Sequence, residues 1–250
     1  MLWIVGIAMG TFILTCSAVG LRLLWLAVRT RQAPELLGGL GFASIGLIGY
    51  PASLASGNGV EPVGDVWIPA YVVGMVFTNA GIAAFYAFTY RVFRPFSTRA
   101  RALVGAAISA LAFGSAGSIR TILTADPALP SLDATASWSL LLQVASTLAF
   151  GWTSLEGFVQ ARMAGRRAAL GLADRSTVHR FWLWGVFGAS TTMLSLAFLV
   201  SQQLGRAPAE DPMVHVASAL LGGLSSAVMA LAFFPPKAYT RRVSSRARTT

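Results

Sequence analysis

Residues 67–91 read WIPAYVVGMVFTNAGIAAFYAFTYR: from Trp67 to Tyr90 the run carries no charge, and Arg91 closes it. At about 1.5 Å of rise per residue, an α-helix of this length spans ~36 Å, enough to cross a hydrocarbon core of ~30 Å. Asn79 lies midway between Trp67 and Arg91, so its carboxamide falls at the middle of the crossing. A carboxamide facing lipid there is costly, and the residue is expected to face other helices. At 3.6 residues per turn, Tyr71, Met75, Asn79, Ile82, Tyr86 and Tyr90 share an arc of about 100°. One stripe of this helix therefore presents an amide, a thioether and three phenols.

Working outward in both directions, the same alternation of long apolar blocks and short polar ones continues. It predicts helices at about 2–28, 35–56, 67–90, 100–122, 136–161, 179–203 and 212–235, forming one transmembrane domain over residues 1–236 with a basic tail over 237–250. The composition agrees: 55% of the 250 residues are hydrophobic and 11% charged, against about 25% charged in an average soluble domain. Pro34 and Glu35 suit a helix start. Gly57-Asn58-Gly59, Asp126-Pro127, Leu129-Pro130 and Pro235-Pro236 are breaks. The N-terminus lacks the basic segment of a secretory signal, and its apolar run reaches Val28, so it reads as a retained helix.

Charge gives the threading. Arg29, Arg31, Arg91, Arg94, Arg99, Arg101, Arg162, Arg166, Arg167, Arg175 and Arg180 fall in alternate connections, and Lys237, Arg241, Arg242, Arg246 and Arg248 in the tail. The other connections hold Glu61, Asp65, Asp126, Asp133, Glu210 and Asp211, with Arg120 and Arg206 as their cations. Positive charge stays cytoplasmic. The expected fold is thus an all-α seven-transmembrane-helix bundle with its N-terminus outside and its C-terminus in the cytoplasm. Trp67 and Trp138 at one end, and Trp182 and Trp184 at the other, fit interfacial aromatic belts. Gly38, Gly39, Gly41, Gly46, Gly49, Gly114, Gly117, Gly222 and Gly223 read as close-packing positions between helices.

Several chemistries are excluded or unsupported. The arginines sit at helix ends rather than in a stripe, so the chain's net charge of +10 does not imply nucleic acid; anionic lipid headgroups are the expected partner. Cys16 is alone, so no intrachain disulfide forms. His179 and His215 fall at opposite ends of their helices, too far apart in depth to share a haem or a metal. No GxSxG elbow supports a serine nucleophile. No catalytic residue, metal or cofactor is assigned.

The polar interior is what remains. Asn79, Met75 and Tyr86 on the third helix, Gln143 on the fifth and Thr191 on the sixth, beside Ser190 and Thr192, are candidate ligand contacts; the competing reading is hydrogen bonding between helices. Glu156, 18 residues from Trp138 and therefore about 27 Å further along the helix, is placed near the inner interface beside Gln160 and Arg162. It is a further candidate ligand contact, as a gate or proton site, and the competing reading is a carboxylate at the wet inner end. Arg22 is expected to snorkel to the same end.

The seven-helix threading resembles that of rhodopsins and G-protein-coupled receptors, in topology only. A retinal pigment needs a Schiff-base lysine in the seventh helix. Residues 212–234 contain none, and Lys237 follows Pro235-Pro236. Thr89-Tyr90-Arg91 and Pro236-Lys237-Ala238-Tyr239 look superficially like receptor signatures, although the proline stands at the helix exit. The strings Arg29-Thr30-Arg31-Gln32-Ala33-Pro34-Glu35-Leu36-Leu37, Gly171-Leu172-Ala173-Asp174 and Arg180-Phe181-Trp182 resemble segments of uncharacterised bacterial seven-helix membrane proteins. That resemblance implies a bacterial inner membrane and carries no activity. The small seven-helix sugar transporters match in topology, but their Pro-Gln pair and internal repeat are missing here. The leading expectation is a non-enzymatic sensor that binds a small apolar ligand and signals through a separate cytoplasmic protein. The alternatives are a transporter or channel component, a lipid-modifying enzyme, or an accessory subunit of a membrane complex.

Overall fold

The computed structural model describes residues 2–56, 67–124, 136–206, 211–236 and 239. Among them the chain forms seven helical rods and no strand: α1 Leu2–Thr30, α2 Ala33–Ala55, α3 Trp67–Phe93, α4 Thr98–Thr124, α5 Ala136–Ala169, α6 Arg175–Gln203 and α7 Pro212–Phe233. Six are long and apolar enough to cross a membrane; α5 is long enough but too polar by composition. The largest departure from the sequence reading is the α5–α6 hairpin. It gains about two turns on α5 and one on α6, with only residues 170–174 left to turn the chain. The three breaks before residue 131, five of the six acidic residues assigned to the second set of connections, and Lys237 with the tail arginines lie outside the described residues.

Local chemistry explains the helix ends. Pro34 stands in the first turn of α2, where its missing N–H removes no helical bond. Asp174 caps α6, accepting from the Ser176 N–H at 3.1 Å, and Asp211 caps α7, accepting from Met213 N–H at 2.9 Å. The Met213 amide, with Ser201 and Arg206 beside it, holds the Asp211 carboxyl below the usual carboxylate range. Gly171 makes the α5–α6 turn at φ 72°, a conformation glycine adopts without a Cβ clash.

Helices α1, α2, α3, α5, α6 and α7 close into a ring, each touching the next and α7 returning to α1, while α4 packs outside against α3 and α5. Phe42, Phe85, Phe150, Trp184, Phe187 and Phe233 fill the ring from five helices, with centroid separations of 4.8 Å for Phe42–Phe85 and 5.6 Å for Trp184–Phe187. Edge-to-face and tilted contacts of this kind add to the area buried. Trp184 is therefore a core residue at 8% exposure, whereas Trp182 is 48% exposed. The belt assignment for Trp184 is corrected: it lies on the inward side of α6, nearer the centre of the bundle than Trp182.

Glycine sets the closest seams. A Cβ on Gly20 would lie 2.5 Å from Ala43 N, and one on Gly46 2.7 Å from Cys16 Cβ, so α1 and α2 meet backbone to backbone. Gly114 and Gly117 admit Leu142 and the Trp138 ring from α5. Gly222 and Gly223 differ from the sequence reading. Among the described residues nothing lies within 4 Å of a Cβ placed there, so close packing does not account for them. They stand instead at a helix interruption: α7 widens to π geometry over Ser218–Gly222, with Gly223 resuming the α-helix, as α2 widens over Ser44–Gly49. Both wide turns pack on α1. The α2 turn precedes Pro51, whose ring would press on the Leu47 carbonyl in an uninterrupted α-helix.

Candidate functional site

Helix α3 carries a polar bond to another helix at successive levels. Asn79 is 8% exposed, and its amide Nδ2 donates to Ser115 Oγ of α4 at 2.9 Å. Two turns on, the Tyr86 hydroxyl donates to the Ala145 carbonyl of α5 at 2.7 Å. One turn further, the hydroxyls of Thr89 and Thr153, both at 0% exposure, meet at 2.9 Å. Just beyond the helix end, Arg94 Nε donates to Glu156 Oε1 at 2.7 Å. Trp152 Nε1 donates to the same oxygen at 3.2 Å. Gly74 and Gly81 let α3 sit against α2 on its opposite flank, where a Cβ would fall 2.7 Å from Ser53 N and 2.8 Å from Gly41 O respectively.

Glu156 is 3% exposed, and among the described residues its Oε2 has no hydrogen-bond partner. It was expected at a wet interface beside Gln160 and Arg162; the structure closes it off from solvent and gives it Arg94 instead. Arg94 is half-exposed, and the carboxylate holds its guanidinium above the usual range through a hydrogen bond and direct charge attraction. The pair therefore stands at the mouth of the bundle, with one partner inside and the other in contact with solvent.

The remaining candidates occupy other seams. Gln143 Nε2 donates to the Ser195 carbonyl of α6 at 3.1 Å. Thr191 donates to its own helix at Phe187 O, 2.9 Å away, and lies 3.4 Å from Ser225 Oγ of α7, while Ser190 meets the same serine at 2.7 Å. Met75 is partly buried on α3. The structure thus brings Tyr86 and Glu156 onto the α3–α5 seam and sets Asn79, Gln143 and Thr191 on three others. Thr89, Thr153, Arg94, Trp152 and Ser115 were missed. A lone carboxylate in an apolar helix calls for a cation, which could have directed attention to Arg94; nothing in the sequence marks one threonine pair among so many hydroxyls.

The threonine pair is testable. Thr89→Val or Thr153→Val leaves one buried hydroxyl without its partner, and each is expected to cost about 1–2 kcal/mol. The double variant removes both polar groups at nearly constant volume and is expected to recover most of that loss. Thermal unfolding of the four proteins in one detergent measures the cycle; strict additivity would argue against the contact.

Arg22 reaches from α1 to the Phe233 carbonyl at the end of α7, 2.5 Å away, and its guanidinium lies 4.8 Å from the Phe234 ring centre. A cation there complements the partial negative charge of a helix C-terminus. Together with Arg94–Glu156, and with the hydrogen bond between His179 and Tyr239, this contact gathers the C-terminal ends of α1, α3, α5 and α7 at one arginine-rich end of the bundle. His215 begins α7 at the other end. Among the described residues no three His, Cys, Asp or Glu side chains gather as a metal site.

A bundle of this kind, with aliphatic side chains turned outward, most polar groups between helices paired and six helices long and apolar enough to cross a membrane, defines a multi-pass integral membrane protein. Comparison with protein-family models, with curated proteins and with solved structures finds no match.

Proposed function

We propose that this protein is a non-enzymatic membrane sensor in which α3 transmits the presence of a small apolar ligand to the arginine-rich end. The observation that carries the reading is the ladder of cross-helix bonds on α3, from Asn79 through Tyr86 and Thr89 to Arg94–Glu156. A ligand that inserts beside Met75, Asn79 and Tyr86 competes with those bonds. It favours a slightly shifted α3, and the shift reaches Arg94 at the surface, where a separate cytoplasmic protein reads it. Such a two-state element is what coupling between two sites requires.

In this reading α5 is a seventh crossing despite its polarity. Its exposed positions Leu140, Val144, Leu148 and Leu155 are aliphatic and lie on one face, whereas Thr153, Ser154 and Glu156 are buried. Lipid contact depends on what faces outward rather than on average composition. Seven crossings, with the arginine-rich end cytoplasmic, put residues 60 and 245 on opposite sides. Protease tags inserted there are expected to be cut from opposite faces of sealed vesicles, and cleavage of both from one face would overturn the threading.

Mass spectrometry of the protein released from gentle detergent tests the ligand. A small apolar molecule is expected to co-purify, with occupancy falling about tenfold in Asn79→Leu and in Tyr86→Phe. Equal occupancy in all three proteins would remove the pocket. The second reading, a transporter component, is favoured by the unpartnered Glu156 Oε2. Solute flux in proteoliposomes that Glu156→Gln abolishes would select it over the sensor.

A further inference from the structure

Beyond the ladder, the α5–α6 hairpin encloses an open cleft of about 530 Å³ at the arginine-rich end. Ala168 and Ala169 from α5 and Val178 from α6 form an apolar wall; Arg175, His179 and Trp182, all from α6, supply the polar and aromatic side. Trp182 stacks on His179 with rings 5° from parallel and centroids 6.2 Å apart. His179 in turn bonds the Tyr239 hydroxyl, so Tyr239 rests against the same histidine. Arg162, Arg166, Arg167 and Arg180 are exposed around this hairpin. The nearest carboxylate in the sequence, Asp174, is engaged as the α6 cap by the Ser176 amide and hydroxyl. Leu170 and Leu172, at 74% and 75% exposure, project from the connecting turn.

We propose that this cleft binds the phosphate of an anionic phospholipid headgroup. Arg175 and His179 supply donors for phosphate oxygens, while the alanine–valine wall and the Trp182 face accept the apolar part next to the phosphate. A tryptophan with one wet and one apolar side suits the membrane interface. The two exposed leucines give the turn an apolar edge beside its arginines, a combination that favours a lipid-borne phosphate over a free one. The surrounding arginines raise the local concentration of anionic lipid but do not define the site; the cleft does. Contact between Tyr239 and His179 makes Tyr239 part of the same site. The inference rests on the bundle lying in a bilayer and is independent of any ligand near Asn79.

Native mass spectrometry of the full chain in mixed micelles tests the proposal, with phosphatidylglycerol and phosphatidylcholine as lipid probes and inorganic phosphate as the soluble one. One phosphatidylglycerol is expected to remain bound at an energy that strips phosphatidylcholine. Arg175→Gln/His179→Gln is expected to lower its occupancy at least tenfold, with Arg175→Lys retaining most of it. Arg29→Gln/Arg31→Gln, at the same end but away from the cleft, is expected to leave occupancy unchanged. Equal loss in both double variants would reduce the effect to general surface charge and overturn the site. Displacement of the lipid by millimolar inorganic phosphate would overturn the lipid assignment. An unchanged unfolding temperature in Arg175→Gln/His179→Gln separates lost binding from lost folding.

Discussion

Gly188→Leu is expected to lower the unfolding temperature in detergent by roughly 6–12 °C, the equivalent of about 3 kcal/mol for a chain of this size. A Cβ at Gly188 would lie 2.7 Å from Ser154 N, 2.8 Å from Ser154 Cα and 2.9 Å from Phe150 O. All three are backbone atoms of α5, so no side-chain rotation relieves the clash and the two helices must separate. Overpacking of a tight seam costs about 1–3 kcal/mol. Separation also breaks the hydrogen bond from Ser154 Oγ to Gly185 O, 2.9 Å long, worth about 1 kcal/mol. A Cβ on Gly157 would likewise lie 2.7 Å from Gly185 N in the same seam, so the strain has little room to disperse. The control is Gly10→Ala or Gly105→Ala, where a Cβ meets nothing within 4 Å. Those changes are expected to stay within about 1 kcal/mol and to lean towards stabilising, since alanine favours helix over glycine. Should Gly188→Leu melt with the parent protein, the backbone contact between α5 and α6 is not present.

Arg94→Met is the second large effect. Glu156 is 3% exposed and, among the described residues, would keep only the Trp152 indole as a donor. Removing one partner of a buried pair costs about 3–5 kcal/mol. Because Arg94 itself is half-exposed, solvent screening reduces the expectation to about 2 kcal/mol. Glu156→Gln takes away the charge that needs compensation, so the double variant Arg94→Met/Glu156→Gln is expected to be more stable than Arg94→Met alone. Unfolding measured across the four proteins gives the coupling between the two residues. A coupling near zero would show that the carboxylate does not depend on this arginine, and would remove the surface end of the α3 ladder. A sensor and a transporter both need that end intact. The stability cycle therefore tests the geometry beneath either reading, while flux and ligand occupancy distinguish between them.

Reading single residues against the structure separates what was legible. Asn79 was legible as a buried group because a carboxamide midway along an uncharged run must find a partner in protein; its partner, Ser115, was not, because α4 offers several hydroxyls and sequence carries no record of rotation about a helix axis. Glu156 was legible in depth but not in environment. Its distance from Trp138 follows from helical rise alone, whereas its enclosure depends on how α3 and α5 are rotated and how far the chain beyond α3 reaches. The α5–α6 hairpin was underestimated because arginine was read as the end of an apolar run, although arginine is a good helix former and the rods continue past it.

Hydrophobic length and the placement of charge act through solvent, residue by residue, and so the amino-acid order alone determined that the chain is helical, apolar on the scale of a bilayer, and basic at alternate turns. Which seam each polar group joins, why Trp184 is core and Trp182 is not, and where a cleft opens in the α5–α6 hairpin were decided only when the rods packed. Those outcomes depend on contacts between residues distant in sequence, set by glycine-sized gaps and ring shapes that no local pattern encodes.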